Sequence, residues 1–123
     1  MPILDVEIVL ADTERLDEDL PQRLADVAGE IFGAPAGRMW VRLRGLPLQN
    51  YAESGGLPAG VRPVFVSVLK AKHPSREDLR REIAALTEAV ARICDRPPEN
   101  VHIFYRPEGI GRVAFGGELA SDR

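Results

Sequence analysis

Hydrophobic residues in the first half of the chain follow two different spacings. In the first ten residues every second position from Leu4 onward is apolar, which predicts a β-strand that starts at the N-terminus. Over residues 20–31 apolar residues recur at helical spacing, and we expect this helix to begin near Asp19 and to end at Gly33. Alternation returns over residues 38–46 and predicts a second strand.

The second predicted strand has one apolar and one cationic face. The apolar face carries Met39, Val41 and Leu43, and the other face carries Arg38, Trp40, Arg42 and Arg44. From residue 47 to residue 60 the chain is rich in Gly, Pro, Ser and Asn, which is typical of a loop or a short hairpin. The first half therefore reads as a strand–helix–strand unit followed by a turn region.

The second half of the chain repeats this order. Apolar residues on both faces of the stretch after Pro63 predict a strand that is at least partly covered on both sides. Ser75 begins a capping-box-like motif, so we expect its hydroxyl to accept a hydrogen bond at the start of a helix. A regular apolar stripe over residues 79–93 continues this helix until a pair of prolines ends it. Alternation over residues 101–106 predicts a fourth strand.

This internal repeat is the strongest pattern in the sequence. We predict one domain, 1–123, made of two tandem copies, residues 1–60 and 61–123. Each unit should make a right-handed crossover, so the predicted fold class is α/β (α+β): two β-α-β repeats forming a four-stranded mixed sheet with two helices on one face. The opposite face would carry Ile3, Val9, Trp40, Phe65 and Leu69. So much exposed apolar surface predicts an oligomer.

Composition narrows the class of function. The chain has 123 residues and a formal net charge of −3, so it has no general attraction for nucleic acid or for an acidic membrane surface. With Cys94 as its one cysteine it makes no internal disulfide, and two histidines do not amount to a metal site. No apolar run approaches the ~20 residues of a membrane helix, and the start lacks the pattern of a signal peptide. We predict a cytoplasmic protein without metal or cofactor.

The Met1-Pro2 start, the two strand–helix–strand units and the closing stretch 115–121 together resemble the tautomerase superfamily. The closing stretch is similar to the C-terminal hairpin of 4-oxalocrotonate tautomerase, whose short subunit corresponds to one copy here. The doubled length resembles the fused members, such as 5-carboxymethyl-2-hydroxymuconate isomerase, malonate semialdehyde decarboxylase and cis-3-chloroacrylic acid dehalogenase. The resemblance implies a homotrimer with the sheets in a central barrel and active sites at subunit boundaries.

Pro2 matches the N-terminal proline that serves this family as catalytic base or acid. If Met1 is removed, Pro2 carries a secondary amine that can bind and release a proton, and an α-amino group has an unperturbed pKa of about 7.7–8.0. Burial or neighbouring cations favour its neutral form, which suits proton transfer near neutral pH. The alternative is that Pro2 is only the first residue of a strand.

The resemblance also implies cationic side chains that hold a substrate carboxylate and stabilise enolate charge. Lys72 and His73 follow the third predicted strand, where fused members place arginines. The corresponding turn of the first copy, Asp12-Thr13, has no cation. Because lysine lacks the bidentate fork of arginine, the identity of the substrate stays open. The alternative for Lys72 and His73 is a solvated turn.

A further family arginine lies on the second strand of a copy. Trp40 occupies the matching position in the first copy and His102 in the second. Arg38 and Arg42 flank Trp40 on the same face and can take this role. Alternatively, this face meets a neighbouring subunit, and its arginines pair with carboxylates there.

The leading interpretation is a cofactor-free tautomerase or isomerase of a small 2-oxo (enol) carboxylic acid, with Pro2 as general base and acid. Phe115 would supply the aromatic wall of the site, although alignment on the Gly-Gly pair places Val113 there. A second interpretation is a hydratase, dehalogenase or decarboxylase of a small unsaturated or 3-oxo acid, with Pro2 as general acid and Glu53 or Glu118 activating water. A third is a non-catalytic trimeric binding or signalling module.

Overall fold

The computed structural model describes residues 2–121; Met1, on whose removal the role of Pro2 depends, lies outside them. The main sheet contains four strands: β1 (Ile3–Leu10), β2 (Trp40–Pro47), β3 (Val64–Leu69) and β4 (Val101–Tyr105). Two helices connect them in pairs: α1 (Leu20–Phe32) and α2 (Arg76–Cys94). A small hairpin near the end of the chain is formed by β5 (Ala114–Phe115) and β6 (Glu118–Leu119).

The strands of the main sheet are arranged in the order β2-β1-β3-β4. β1 is parallel to β2 and β3 is parallel to β4, whereas β1 and β3 run antiparallel at the centre. Each half of the chain is therefore one β-α-β unit, and the two units join through their first strands. This confirms the predicted fold class, a four-stranded mixed sheet with two helices.

The antiparallel centre determines which chain segments meet at each end of the sheet. Ile3, the first residue of β1, pairs with Leu69 at the end of β3 and with Trp40 at the start of β2. On the far side, Tyr105 at the end of β4 pairs with Val68. The start of the chain therefore lies beside the residues that directly follow β3 and directly precede β2.

The core lies between the helices and one face of the sheet. Alternate residues of the two central strands are fully buried, and they pack against buried residues of both helices: Leu4, Val6, Ile8, Val64, Val66 and Val68 from the strands, and Leu24, Ala28, Leu86 and Val90 from the helices. Full burial of one such aliphatic side chain stabilises the fold by roughly 1.5–3 kcal/mol. Because these side chains come from both copies, the two units share one core.

The end of α1 sets the path of the chain toward the N-terminus of β1. Gly33 ends the helix, as predicted, and its φ of 63° lies in the left-handed region that glycine adopts without steric cost. The N–H groups of Gly33 and Ala34 donate to the carbonyls of Glu30 and Gly29 at 3.2 and 2.9 Å. These bonds turn the chain back toward β2.

The start of α2 also follows its predicted signal. The Ser75 hydroxyl accepts a hydrogen bond from the N–H of Asp78 at 3.2 Å, which satisfies one of the free donors of the first turn. Two carboxylates, Glu77 and Asp78, lie in that turn and interact favourably with the positive end of the helix dipole.

The tail after β4 crosses the end of β3. The N–H of Gly109 donates to the carbonyl of Lys70 at 2.8 Å, and a Cβ on this buried glycine would lie 3.0 Å from the Val113 side chain. The β5–β6 hairpin turns at two glycines with positive φ angles of 59° and 91°, as a two-residue hairpin requires. The closing stretch thus forms the hairpin that the resemblance implies.

The sheet face opposite the helices is only partly apolar. Trp40 and Phe104 on this face are 40% and 52% exposed. Val9, expected on the same open face, is completely buried. Its N–H donates to the Pro63 carbonyl, and its own carbonyl accepts from Arg96.

Two kinds of feature are absent from the described residues: a membrane-spanning helix and a metal-binding cluster. Among residues 2–121 no helix has the length and apolar character needed to cross a membrane. In the same part of the chain no three His, Cys, Asp or Glu side chains gather in a way that could hold a metal ion.

Candidate active site

A cleft of about 250 Å³ lies at the end of the sheet where β1 begins. Its walls are Pro2, the turn after α1, Arg38 and Lys70. Pro2 is buried, and its carbonyl accepts a hydrogen bond from the N–H of Trp40 at 3.2 Å, which continues the β1–β2 ladder by one residue. Sheet pairing and burial together hold the proline ring in place against the cleft that we call the Pro2 cleft.

Arg38 is the accessible cation of the Pro2 cleft. Its backbone is fixed by a hydrogen bond from its N–H to the Pro35 carbonyl at 3.0 Å, in the loop that follows α1. The side chain is exposed, and among residues 2–121 its guanidinium has neither a hydrogen-bond partner nor an ion-pair partner. A guanidinium in this state can bind a carboxylate through two parallel hydrogen bonds.

Lys70 is a second cation of the Pro2 cleft, and it is already paired. Its Nζ lies 3.0 Å from Oε1 of Glu82 and 4.8 Å from the centre of the Phe32 ring. Oε2 of Glu82 accepts a hydrogen bond from the Tyr105 hydroxyl at 2.5 Å. Burial, together with the hydrogen bond to Glu82, raises the pKa of Tyr105 far above its usual value of 10.0, so the phenol stays protonated. The Lys70 ammonium therefore contacts side chains of α1 and α2, and Tyr105 of β4 binds the other oxygen of its partner Glu82.

Lys70 was not predicted from the sequence. The resemblance implied cations two and three residues further on, in the turn itself. The position of Lys70 beside Pro2 depends on the antiparallel pairing of β1 with β3, which no local pattern reveals. This position could have been predicted only from the register of the two strands, in which Ile3 lies opposite Leu69.

The charges around the Pro2 cleft favour a positive potential. Arg38 contributes one full positive charge, and the charges of Lys70 and Glu82 nearly cancel at 3.0 Å. The C-terminus of α1 contributes about half a negative charge, which is smaller than the charge of Arg38. A negatively charged ligand would therefore be attracted to this cleft.

Lys72 and His73 lie in the turn after β3 but do not line the Pro2 cleft. The His73 N–H donates to a carboxylate oxygen of Glu108 at 2.6 Å, and its ring Nε2 lies 3.0 Å from the Arg106 carbonyl. Because a carbonyl oxygen only accepts, this contact requires a proton on Nε2. The ring also packs edge-on against Tyr105, with 5.6 Å between ring centres. Lys72 is exposed.

The predicted residues of the second strand separate into two groups. Arg38 lines the Pro2 cleft, whereas Arg42 lies on the sheet face opposite the helices and binds Asp5. Nε and Nη2 of Arg42 donate to the two Asp5 oxygens at 2.6 and 2.9 Å. The hydrogen bond from Arg42 holds the pKa of the Asp5 carboxyl below its usual value of 3.8. Within one chain, Arg42 is therefore paired with Asp5, and the alternative pairing with a neighbouring subunit stays a prediction.

The two remaining predicted site residues, His102 and Phe115, also do not line the Pro2 cleft of one chain. His102 is exposed on β4 and packs against Phe65, with ring centres 5.5 Å apart. Phe115 of the hairpin meets the Trp40 ring edge to face at 5.4 Å. A role for His102 or for Phe115 in substrate binding stays a prediction.

Neither of the two carboxylates predicted to activate water, Glu53 and Glu118, lines the Pro2 cleft. Glu53 accepts a hydrogen bond from the Tyr51 hydroxyl at 2.7 Å in the loop before β3. Glu118 is exposed on β6. Cys94 is buried near the end of α2, and burial raises the pKa of its thiol to about 11, which keeps it unreactive at neutral pH.

Comparison with solved structures finds the same fold in proteins of similar length. A symmetric trimer of a wild-type fused 4-OT named Q0 has a TM-score of 0.78 and 20% identity, over 96% of this chain and 94% of that one. FG41 malonate semialdehyde decarboxylase inhibited by 3-bromopropiolate has a TM-score of 0.68 and 19% identity, over 93% and 88% of the two chains. The macrophage migration inhibitory factor of Oncomelania hupensis has a TM-score of 0.76 and 18% identity, over 98% and 82%. No family model and no curated protein matches the sequence itself.

Proposed function

We propose, on the premise that this chain has the fold of the tautomerase superfamily, that it is a cofactor-independent tautomerase of a small 2-oxo acid. The resemblance predicted from the sequence is confirmed by that fold. The solved structures that share the fold include a decarboxylase and a macrophage migration inhibitory factor, and they therefore support the superfamily rather than one reaction. The specific reaction is proposed from the Pro2 cleft.

The observation that carries the proposal is the joint position of Pro2 and Arg38 on one small cleft. Arg38 would bind the substrate carboxylate, because its guanidinium is exposed and has no partner within residues 2–121. The bound acid would then present its enol oxygen and adjacent carbon to the Pro2 nitrogen. The other predicted site residues would act at a cleft completed by a neighbouring subunit; they are Lys72, His73, Arg42, His102 and Phe115.

The proposed chemistry is a proton transfer by the Pro2 nitrogen. In the enol-to-keto direction, the neutral amine takes the hydroxyl proton as the carbon–oxygen double bond forms, and a proton is returned to the carbon that loses its double bond. Burial of Pro2 and the positive charge of Arg38 both favour the neutral amine. A base whose pKa lies near the working pH is the most effective one. The proposal requires that Met1 be removed.

Replacing Arg38 with methionine should lower kcat/KM for phenylenolpyruvate by about 10- to 100-fold, the effect expected from losing hydrogen bonds to a charged group. The loss should appear mainly as a higher KM, since the guanidinium binds the carboxylate rather than the reacting carbon. Steady-state kinetics of the purified variant measures both parameters.

Arg44→Met is the matched control for this experiment. Arg44 is exposed on β2, six residues after Arg38, and its ion-pair contact within residues 2–121 is a 3.8 Å approach to Glu7. Its replacement removes one positive charge from β2 and should leave KM within about twofold, because an exposed charge outside the Pro2 cleft is screened by salt. Equal effects of the two variants would mean that Arg38 contributes only to the general surface charge and does not bind the substrate carboxylate.

A second reaction is proposed because a decarboxylase shares the fold. FG41 malonate semialdehyde decarboxylase is the solved structure concerned. In this alternative, protonated Pro2 acts as a general acid on a small unsaturated or 3-oxo acid. A screen of enol acids, halogenated acrylates and 3-oxo acids distinguishes the two reactions, since each class gives a different product.

We also propose that the working molecule is a homotrimer. The fused 4-OT Q0 is a symmetric trimer, and the open sheet face of this chain exposes Trp40 and Phe104. Leu119 of the hairpin is 62% exposed as well. A second and third copy would cover these side chains and would complete the Pro2 cleft from outside.

Phe104→Asp should shift the assembly from trimer toward monomer, because a carboxylate replaces an aromatic side chain that is 52% exposed in one chain. Light scattering coupled to size-exclusion chromatography measures the mass. Ala85→Asp adds the same charge at an exposed position of α2 and should leave the mass unchanged. A wild-type protein that elutes as a monomer at all concentrations would contradict the trimer.

A further inference from the structure

The Lys70–Glu82 ion pair lies at the Pro2 cleft without a role in the proposed reaction. Its two side chains are largely buried, with 17% of Lys70 and 12% of Glu82 exposed. Both oxygens of Glu82 are engaged, one by the Lys70 ammonium and the other by the Tyr105 hydroxyl. An internal carboxylate that is held in this way is not free to activate water or to bind a cation.

A pair of this kind is expensive as a means of stability alone. Burying two charges costs desolvation energy, and apolar residues of the same size often stabilise a fold equally well. The position of the pair suggests another use. Lys70 lines the Pro2 cleft together with Pro2 and Arg38, whereas its partner Glu82, on α2, is not among the lining residues.

We propose that Lys70 and Glu82 form a compensated ion pair that sets the net positive charge of the Pro2 cleft, and that Tyr105 fixes Glu82 in place for this purpose. Glu82 and Tyr105 are positioning residues, because they act on the substrate site through Lys70. The inference rests on the proposed function, since it assigns the charge balance of the same site.

The other charged and titratable groups near this pair come from each neighbouring element. The loop before β2 contributes Arg38, the turn after β3 contributes Lys72 and His73, and β4 contributes Tyr105. The end of α1 contributes only the Phe32 ring and the helix terminus. Within residues 2–121, Glu82 is the negatively charged side chain in contact with Lys70.

The pair therefore limits how strongly the cleft attracts anions. An uncompensated Lys70 would add a second full charge to that of Arg38. This would bind a substrate carboxylate more tightly, but it would bind the product carboxylate more tightly as well. A compensated Lys70 keeps the ammonium in position for hydrogen bonding while leaving the net charge near that of Arg38 alone.

The test is a double-mutant cycle of Lys70→Met and Glu82→Gln, with the Pro2 amine titrated by NMR. Glu82→Gln removes a negative charge and should lower the pKa of Pro2 by about half a unit, the effect of one charge acting through a partly solvated site. Lys70→Met should raise it by a similar amount. The double variant should return close to the wild-type value. Glu88→Gln, an exposed position on the same helix, removes the same charge and should cause no shift.

A second measurement follows binding of 2-oxobutanoate, a saturated 2-oxo acid, to the same four proteins. Its affinity should rise about threefold in Glu82→Gln, fall about threefold in Lys70→Met and return in the double variant. Shifts of the same sign in both single variants, or a double variant that does not return, would overturn the charge-setting role. If the protein retains Met1, Pro2 does not titrate and the proposed reaction fails, whereas the order of the affinities still decides the role of the pair.

Discussion

Replacing Pro2 with alanine should lower kcat/KM for phenylenolpyruvate by about 10²- to 10⁴-fold, the contribution typical of a positioned general acid or base. The variant still has an amine at its start once Met1 is removed, but it is a primary amine on a residue without the ring that packs in the Pro2 cleft. Both the pKa and the position of the nitrogen change as a result. Steady-state kinetics, with intact mass of both proteins to establish removal of Met1, checks this result.

The control for this experiment is Pro58→Ala, which removes a proline from an exposed loop. Its turnover should equal that of the wild-type protein. Undiminished turnover by Pro2→Ala would end the proposed role of Pro2. An active wild-type protein that retains Met1 would also end this proposal. The Pro2 nitrogen would then be part of a peptide bond and could not bind or release a proton.

Arg96→Met should lower the free energy of unfolding by about 3–5 kcal/mol, as removing one partner of a buried ion pair usually does. The Arg96 side chain is 3% exposed and forms two hydrogen bonds with Glu14, at 2.9 and 3.0 Å. It also donates to the carbonyls of Val9 and Arg62 at 2.8 and 2.7 Å. Methionine satisfies none of these acceptors. Urea denaturation at neutral pH measures the change.

Arg92→Met is the matched control, because Arg92 is exposed in the last turn of α2, four residues before Arg96. Its effect should be within about 0.5 kcal/mol, as for most surface substitutions. A loss of similar size in both variants would mean that Arg96 contributes no more than an exposed charge near the end of α2.

The pairing with Arg96 also gives the stability of the wild-type protein an acid dependence. Burial alone would raise the pKa of Glu14, but hydrogen bonds from Arg96 and from the Ala11 N–H outweigh it and hold the pKa below the ordinary value of 4.5. A carboxyl with a lowered folded-state pKa stabilises the fold fully above its unfolded pKa. This contribution is lost as the pH falls below 4.5 and through the folded-state value. In Arg96→Met the fall with acid should therefore be smaller.

Patterns that depend on neighbouring residues allowed most of the fold to be predicted. The helix end at Gly33 and the cap at Ser75 follow from local rules, and both are present in the structure. The repeat of alternating and helical spacings predicted two β-α-β units in one mixed sheet. These features need no knowledge of distant contacts.

The site was predictable only in part, because its charges meet through long-range pairing. Pro2 and Arg38 were selected from the sequence, and they share a cleft. Lys70 was not, because its neighbour is determined by the register of β1 and β3. Glu82 lies on the helical surface of α2 and looks like an ordinary solvated charge until Tyr105 and Lys70 close around it.

The two helix ends have different consequences for the two copies of the unit. Ala34 follows the left-handed Gly33 and donates to the carbonyl five residues earlier, and Arg96 does the same after the left-handed Asp95. In the first unit this position is Ala34, whose methyl group leaves the cleft beside Pro2 open. In the second unit it is Arg96, whose guanidinium fills the equivalent space next to Pro63. One unit thus keeps space that a small ligand can enter, whereas the corresponding space of the other unit holds a side chain that ties the chain together.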